Sequence, residues 1–374
     1  MSQNFDVVVV GAGIVGAACA LECAQAGLKV AMIEQGIVGG GATAAGMGHI
    51  VAMDDSDAQF ALTRYSQLLW LGIKKELPKD VEFETTGTIW VAADEEEMGE
   101  VRRKHSYYSS RRAPCEILDS NSLEEAEPNL RKGLAGGFLV SEDAVLYPPT
   151  AARWLSAQAQ SCGAALMQRQ VTATTPAGVD FSDGGTVSAG LTIIATGAWA
   201  PELASDLEVK KRKGHLAITD RYPGFIHHQL VELGYLKSAH SITSDSAAFN
   251  VQPRATGQIL IGSSRQYGAE DNGIDHRMMR SMLARACEYM PGLAATAVVR
   301  CWTGFRAATP DKLPLIGPST KKRNLWFATG HEGLGITTSL GTAKLLVDQI
   351  VGRTPAIPFE PYLPSRHLRE HVYA

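Results

Sequence analysis

Three glycines near the start of the chain have a spacing that can bind a phosphate group. Gly11, Gly13 and Gly16 follow an apolar, β-branched run, and residues of helical composition come after them. A tight turn at Gly11, close backbone approach at Gly13 and close helix–strand packing at Gly16 would present the helix N-terminus, at Ile14 and Val15, to a pyrophosphate. The pattern predicts a dinucleotide site of the Rossmann βαβ type.

An acidic residue stands at the end of the second predicted strand, 28–33. Glu34 comes 23 residues after Gly11, where a carboxylate can accept hydrogen bonds from both ribose hydroxyls. An acid at this place disfavours a 2′-phosphate and therefore NADP. The adjacent Gln35 is included in the expected cofactor site.

A segment of small residues follows this unit and distinguishes FAD from NAD. Residues 39–48 are almost all Gly, Ala or Thr, so their backbone can lie against a flat ring and donate N–H groups to it. The alternative is a flexible surface loop, but Met47 and the apolar residues 50–51 favour a buried one. The expected flavin contacts are Ala42, Thr43, Ala45, Gly46, Met47 and Gly48.

A second glycine-rich turn precedes the last predicted helix, 336–351. Glycines recur at 330, 333 and 335, and N–H groups at the start of a helix can stabilise negative charge on a reduced flavin ring. An ordinary helix cap is the alternative. The expected contacts are Gly333, Leu334, Gly335, Ile336 and Thr337.

Together with further motifs, these segments resemble the D-amino-acid-oxidase (DAO) family of FAD enzymes, in the branch with glycine oxidase, sarcosine oxidase and D-hydroxyproline dehydrogenase. The resemblance implies that the Val171 backbone clamps the adenine end of FAD and that Thr196 and Gly197 form a turn beside the cofactor. Residues 309–318 contain no cysteine, so the covalent flavin link of sarcosine oxidases is not expected. The motifs that carry the resemblance are 43–47, 195–199, 304–311, 314–317 and 328–331.

The resemblance also implies a substrate site. Arg306 matches the arginine that holds the substrate carboxylate in this family, and a guanidinium fork suits that group; a structural salt bridge is the alternative. Asn250 stands where glycine oxidase offers a tyrosine. His49 could reach the flavin or be a core histidine, and Arg265 and His215 lie on segments that would border the pocket.

The implied reaction is hydride transfer from the substrate Cα to flavin N5. Residues 44–49 and 53–56 look like the D-hydroxyproline dehydrogenase group, which favours cis-4-hydroxy-D-proline as the substrate. Glycine, sarcosine, D-proline and other D-amino acids remain open. The electron acceptor is also open among O2, a quinone and a partner redox protein, and the chain could form a homo-oligomer or belong to a heteromeric complex as its flavin-carrying subunit.

Composition bears on the remaining alternatives. The net charge is −4 and the pI about 6.2. The densest basic run, 210–213, is interpreted as a solvated turn. Both observations disfavour a tRNA-modifying flavoenzyme.

Six scattered cysteines without a CxxC pair predict no metal site and no disulfide framework. The sequence shows no signal peptide and no apolar run long enough for a bilayer, so a cytoplasmic location is expected, with peripheral contact with the inner membrane as an alternative.

The order of predicted elements indicates an α/β chain in which two domains are interleaved. Residues 1–77, 148–209 and 310–358 are expected to form the Rossmann-type FAD-binding domain. Residues 78–147 and 210–309 are expected to form a substrate-binding domain around an antiparallel sheet, and 359–374 a C-terminal tail. Within the first domain, helices are predicted over 14–25, 56–77 and 148–161, and strands over 5–10, 164–171, 191–195 and 325–329.

Overall fold

The structure is a computed structural model that describes residues 4–234 and 245–366. Its strands are β1 (Asn4–Val10), β2 (Val30–Glu34), β3 (His49–Ile50), β4 (Thr88–Ala92), β5 (Cys115–Asp119), β6 (Gly136–Val140), β7 (Ala144–Val145), β8 (Ala165–Gln168), β9 (Val171–Thr175), β10 (Gly178–Phe181), β11 (Thr186–Ile194), β12 (Lys210–Arg221), β13 (Gln229–Glu232), β14 (Ser246–Pro253), β15 (Gln258–Arg265), β16 (Val298–Ala308), β17 (Leu315–Pro318) and β18 (Leu325–Thr329). Its α-helices are α1 (Ile14–Gln25), α2 (Asp57–Ile73), α3 (Glu95–Ser110), α4 (Ser120–Ala126), α5 (Pro148–Ser161), α6 (Ala200–Leu203), α7 (His276–Tyr289) and α8 (Gly335–Val351).

The described chain divides into two compact units. The first comprises the residues up to 81, then 147–211 and the described residues from 305 onward; the second comprises 82–146 and 212–304. The internal boundaries lie within five residues of those expected from the sequence, whereas the described residues of the expected C-terminal tail belong to the first unit. The assignment of the units to cofactor and substrate remains a prediction.

The first unit is built on a mainly parallel sheet with the order β17-β18-β11-β1-β2-β8. The central strand β1 is buried from Val7 to Val10, as a parallel strand covered on both faces must be. Strands β18, β11, β1, β2 and β8 run parallel, β17 pairs antiparallel with β18, and β9 and β10 extend the sheet antiparallel from β11. Helix α1 packs against α5 and α8.

Two elements of the first unit differ from the prediction. The single strand expected over 164–171 is two strands, β8 and β9: β8 pairs with β2 up to the bond from the Arg169 N–H to the Glu34 carbonyl (2.9 Å), and β9 then pairs with β10. The segment expected to be a tail also packs into this unit over its first residues: Tyr362 is buried and its hydroxyl donates to the Ala58 carbonyl (2.6 Å).

The second unit is built on a mixed sheet with the order β16-β12-β15-β14-β13-β4-β6-β5. Strands β12, β15, β14 and β13 pair antiparallel, as do β4, β6 and β5, whereas β13 and β4 run parallel. One face of the sheet shares an apolar core with α7, including Ile89, Phe249, Val251 and Met282. Helix α3 covers the opposite face at β4 and β6, where the Lys104 ammonium lies over the Trp90 ring.

The basic run 210–213 is part of β12, so its interpretation as a solvated turn was wrong. Lys213 is buried, its backbone pairs with Gln266, and its ammonium donates to the Asp271 carboxylate (3.1 Å). Arg212 is also buried and lies over the ring of Tyr267. Ion pairing and stacking satisfy charges that the sequence alone assigned to solvent.

Candidate active site

The glycine-rich turn after β1 leaves no room for side chains at two of its positions. Gly11 has a φ of 99°, and a Cβ there would lie 2.8 Å from the Ala195 carbonyl oxygen. A Cβ on Gly16 would lie 1.9 Å from the Gly11 carbonyl oxygen. Only glycine permits this approach of α1 to the sheet.

The N-terminus of α1 is tied to the small-residue loop. Gly13 caps the helix without a side-chain hydrogen bond, and the Ile14 N–H donates to the Thr43 hydroxyl (3.0 Å). A Cβ on Gly13 would lie 3.3 Å from that same hydroxyl. Thr43 therefore holds the loop against the predicted pyrophosphate site, a role that its residue type alone did not indicate. Val15, half-buried, lies in the same first turn.

Glu34 lies at the carboxyl end of β2, as the sequence predicted. Its carboxylate accepts from the backbone N–H groups of Ala12 (2.9 Å) and Gly36 (2.8 Å). These bonds fix the carboxylate beside the glycine-rich turn, where it can accept ribose hydroxyls with its remaining lone pairs. The neighbouring Gln35 is exposed.

The small-residue loop is partly buried rather than a flexible surface loop. Thr43, Met47 and Gly48 are buried and Ala45 is half-buried, while Ala42 is exposed. Burial of backbone with almost no side chain is the arrangement required for main chain to line a flat ring.

The same loop contacts the start of α8. A Cβ on Gly46 would lie 2.6 Å from Ile336 Cδ1. The Thr337 hydroxyl donates to the His49 carbonyl (2.8 Å) and accepts from the Val51 N–H (3.3 Å). The structure therefore brings together the two segments that the sequence assigned separately to the flavin.

A buried histidine, His331, supports the turn before α8. Its Nε2 lies 3.0 Å from the Thr342 hydroxyl, and its carbonyl accepts from the Leu334 N–H (2.9 Å). A Cβ on Gly335 would lie 3.4 Å from the His331 Cβ. Burial lowers the pKa of His331 to about 3, so the imidazole is neutral at physiological pH and supports the loop without adding charge.

Arg306 reaches the turn before α8. It lies half-buried on β16, and its Nε is 3.4 Å from the position of a Cβ on Gly333. The neighbouring Ala307 carbonyl accepts from the Glu332 N–H (2.9 Å), which fixes β16 against this turn. The candidate carboxylate-binding group and the candidate flavin-binding helix start thus lie side by side in one unit.

Residues expected near the two ends of the cofactor lie in this unit as well. Thr196 Oγ1 is buried without a hydrogen-bond partner, and the Thr196 Cα lies 3.3 Å from a Cβ built on Gly11. The Gly197 carbonyl accepts from the Thr329 hydroxyl (2.9 Å). Val171 begins β9 and is half-buried. A buried hydroxyl without a partner beside the glycine-rich turn fits a polar ligand such as the FAD pyrophosphate.

Asn250, Arg265 and His215 belong to the second unit. Asn250 is buried on β14, and its Oδ1 has no hydrogen-bond partner; Arg265 is half-buried at the end of β15. His215 is a core histidine, because its Nδ1 lies 3.0 Å from the Ser264 hydroxyl and its Nε2 accepts from the Asp275 N–H (3.0 Å). Sequence reasoning did not single out Ser263, whose buried Oγ also has no partner.

Among residues 4–234 and 245–366, no group of three or more His, Cys, Asp or Glu side chains is arranged to hold a metal ion. None of the helices in these ranges is long and apolar enough to cross a membrane.

Comparison with known proteins points to the same family as these geometric features. The family model for FAD-dependent oxidoreductases of the DAO type matches residues 6–349. Glycine oxidase of Geobacillus kaustophilus is 28% identical over 384 residues, which cover 98% of each chain; its crystal structure superposes with a TM-score of 0.87, over 98% of this chain and 100% of that one, at 26% identity. Hydrogen cyanide synthase subunit HcnC of Pseudomonas aeruginosa is 27% identical, over 98% of this chain and 97% of its own.

Proposed function

The chain belongs to the DAO family of FAD-dependent oxidoreductases, and from that premise we propose that it oxidises the Cα–N bond of a small amino or imino acid. FAD, when bound, supplies the acceptor for a hydride leaving the substrate Cα. The reaction class, an FAD-dependent oxidation of amino acids, follows from the family and its glycine oxidase relatives.

The chain's own residues would bind and orient the two reactants. The start of α1 and Glu34 bind the ADP half of the cofactor, and residues 42–48 line the ring. The N–H groups at the start of α8 lie where they can stabilise negative charge on the reduced ring. Arg306 holds the substrate carboxylate and so orients Cα.

One observation carries this proposal: Arg306 lies beside Gly333, at the turn from which α8 begins. A guanidinium in that place can hold a carboxylate next to the ring without an acid–base pair. A structural salt bridge is the competing interpretation.

The comparisons favour a different substrate from the one predicted. Glycine oxidases of several bacteria are 24–29% identical to this chain, which supports glycine or sarcosine better than cis-4-hydroxy-D-proline. We therefore propose glycine and sarcosine as the first candidates. The hydroxylated cyclic imino acid stays as a second candidate because residues 44–49 and 53–56 look like the D-hydroxyproline dehydrogenase group.

The electron acceptor and the assembly remain proposals. Similarity to HcnC, a subunit by its name, supports a heteromeric complex in which a partner redox protein or a quinone takes the electrons. O2 is the acceptor expected by similarity to the glycine oxidases. A cytoplasmic location, with or without peripheral contact with the inner membrane, also stays a prediction.

Anaerobic mixing tests the proposed function. The holoprotein is mixed with glycine, sarcosine, D-proline, cis-4-hydroxy-D-proline, D-alanine and D-serine, and the flavin absorbance is followed. Bleaching by one or more of these compounds is expected, and readmission of air then distinguishes an oxidase from a dehydrogenase. A flavin that dithionite reduces but none of the amino acids bleaches would contradict the proposal.

A further inference from the structure

Arg366 lies in the segment 359–366, which the sequence assigned to a tail and which packs into the first unit. Its guanidinium forms a bidentate ion pair with the Asp311 carboxylate, from Nε to Oδ2 (2.6 Å) and from Nη2 to Oδ1 (3.0 Å). Its other N–H groups donate to the backbone carbonyls of Leu313 (2.7 Å), Pro314 (3.0 Å), Tyr362 (3.0 Å) and Leu363 (3.1 Å). One planar group with several donors therefore joins loop 309–314 to the segment.

The segment that carries Arg366 is itself held by packing. Tyr362 is buried, and its hydroxyl donates to the Ala58 carbonyl on α2 (2.6 Å). Leu363 Cδ2 lies 2.8 Å from the position of a Cβ on Gly317, in β17. The side chain of Arg366 is 13% exposed, so solvent screens its ion pair only in part. The guanidinium is therefore fixed relative to α2 and β17, and the loop is the element that it positions.

The Leu313 carbonyl connects the guanidinium to the turn before α8. Besides Arg366, this oxygen accepts from the Thr309 hydroxyl (2.8 Å), which its second lone pair allows. The methyl group of Thr309, Cγ2, lies 2.6 Å from the position of a Cβ on Gly330, where φ is 78°. The contacts therefore run from Arg366 through two residues of the loop to the glycine that precedes His331 and α8.

The chain that enters this loop contacts the same turn at a second point. The Ala307 carbonyl accepts from the Glu332 N–H (2.9 Å). A displacement of loop 309–314 would therefore move the turn from which α8 begins, and with it the N–H groups that can stabilise negative charge on the reduced ring. Because this stabilisation depends on placement, a shift of about 1 Å is enough to weaken it.

We propose that Arg366 is a positioning residue for the start of α8 and that it thereby raises the reduction potential of the bound flavin. It acts through Asp311, Leu313 and Thr309 rather than by contact with cofactor or substrate. The inference rests on the part of the proposed function that places the flavin ring at the start of α8, and it does not depend on which substrate is oxidised. The competing interpretation is an ion pair that contributes to stability alone.

The test measures the reduction potential of the holoprotein against a reference dye, in wild type and in Arg366→Ala, with thermal unfolding followed in parallel. Without the guanidinium, the preference of the site for reduced over oxidised FAD should fall about tenfold. For a two-electron couple, that ratio corresponds to a potential about 30 mV more negative. Asp311→Asn removes the charge of the partner alone and should shift the potential less, in the same direction.

Arg353→Ala is the matched control. Arg353 also pairs with an aspartate, Nε to Asp348 Oδ1 (3.1 Å), but it does so at the other end of α8, about 25 Å from the start of that helix. Loss of this pair should lower the unfolding temperature and leave the potential unchanged.

The outcomes separate positioning from stability and from the proposed oxidation. An unchanged potential in Arg366→Ala, even with a lower unfolding temperature, overturns the positioning role, and so does an equal shift in Arg353→Ala. If Arg366→Ala does not retain FAD, Asp311→Asn carries the test, and an unchanged potential there overturns the role. None of these results depends on substrate. If no amino acid bleaches the wild-type flavin but the potential shifts as expected, the oxidation fails and the positioning role stands.

Discussion

The glycine-rich turn of the first unit and the buried polar side chains of the second are organised in opposite ways. At the turn, the chemistry belongs to the backbone, and the close contacts around Gly11 and Gly16 exclude every side chain. In the second unit, the buried polar groups belong to side chains, such as Lys213 and His215, that are held by partners distant in sequence, Asp271 and Asp275. The first region excludes side chains, and the second is held together by them.

This difference predicts how the two regions respond to substitution. A change in the turn should cost the cofactor and the stability of the first unit together. A change at the polar side chains should lower the stability of the second unit and leave FAD in place.

The largest effect is expected from a single methyl group at Gly16. In Gly16→Ala the new Cβ would meet the Gly11 carbonyl at 1.9 Å, and because both atoms belong to backbone, α1 must move. We expect a loss of about 3 kcal/mol or more in the free energy of unfolding and a protein purified without yellow colour. Thermal unfolding and the flavin absorbance measure both.

Gly72→Ala is its control, because Gly72 is a helical glycine with open space around its Cβ position. Alanine there should be neutral or stabilise by about 1 kcal/mol. If Gly16→Ala binds FAD as tightly as Gly72→Ala does, the turn is not the fixed region described here.

A smaller effect on stability is expected from His331, the buried neutral histidine at the turn before α8. The pKa of His331 is about 3 in the folded chain, against 6.5 when unperturbed. Below pH 6.5 the unfolded state therefore binds a proton that the folded state does not, so stability falls as pH drops from 6.5 toward 3, by about 2 kcal/mol at pH 5. In His331→Gln, the decrease between pH 7 and pH 5 should be smaller by about that amount.

Urea unfolding at the two pH values measures this difference. An identical pH dependence in wild type and His331→Gln would contradict the burial of a neutral imidazole at this turn.

The next prediction concerns the hydrogen bond from the Ile14 N–H to the Thr43 hydroxyl, which links α1 to the loop. Its removal should cost about 1 kcal/mol of binding free energy. Thr43→Val keeps the shape of the side chain and removes the acceptor for the Ile14 N–H, so FAD should bind about five- to tenfold more weakly. Thr43→Ser keeps the acceptor and should bind as the wild type does. Fluorescence titration of the apoprotein with FAD gives the Kd, and equal weakening in both variants would show that the lost contact is not this hydrogen bond.

The smallest effect concerns the cysteines of the first unit. Burial raises the pKa of the Cys23 thiol to about 12 and that of Cys19 well above its usual range, so neither forms the reactive thiolate. Cys162 is exposed. Iodoacetamide should modify Cys162 in the native protein, as read by peptide mass spectrometry, without loss of FAD. Modification of Cys19 or Cys23 before unfolding would show that α1 is looser than described.

The sequence predicts the first region well because its signals are local. The spacing of Gly11, Gly13 and Gly16, a buried strand before them and an acid after the next strand lie within 34 residues and require no knowledge of the rest of the chain. The start of α8 was expected at 336 and is found at Gly335. The DAO family, the α/β class and FAD all followed from such motifs.

The sequence predicts the second region poorly because pairing between distant strands decides it. Which way Ser263 points depends on the register of β15 against β14, and the register shifts between Ala247 and Asn250. The basic run 210–213 was misassigned for a similar reason: the partner of Lys213 is Asp271, distant in sequence. No local motif of this kind specifies the substrate, so the predicted hydroxyproline and the better supported glycine are harder to tell apart than the reaction class.

We propose that Arg306, beside the start of α8, holds the substrate carboxylate during oxidation. The most direct measurement compares an amino acid that bleaches the flavin with its methyl ester, in wild type and in Arg306→Ala, by anaerobic flavin reduction. We expect kcat/KM for the free acid to fall roughly 100-fold in the variant, while kcat/KM for the ester, which lacks the negative charge, changes little. Arg103→Ala, at an exposed arginine, should change neither. Equal losses for acid and ester, or none for the acid, would contradict the account.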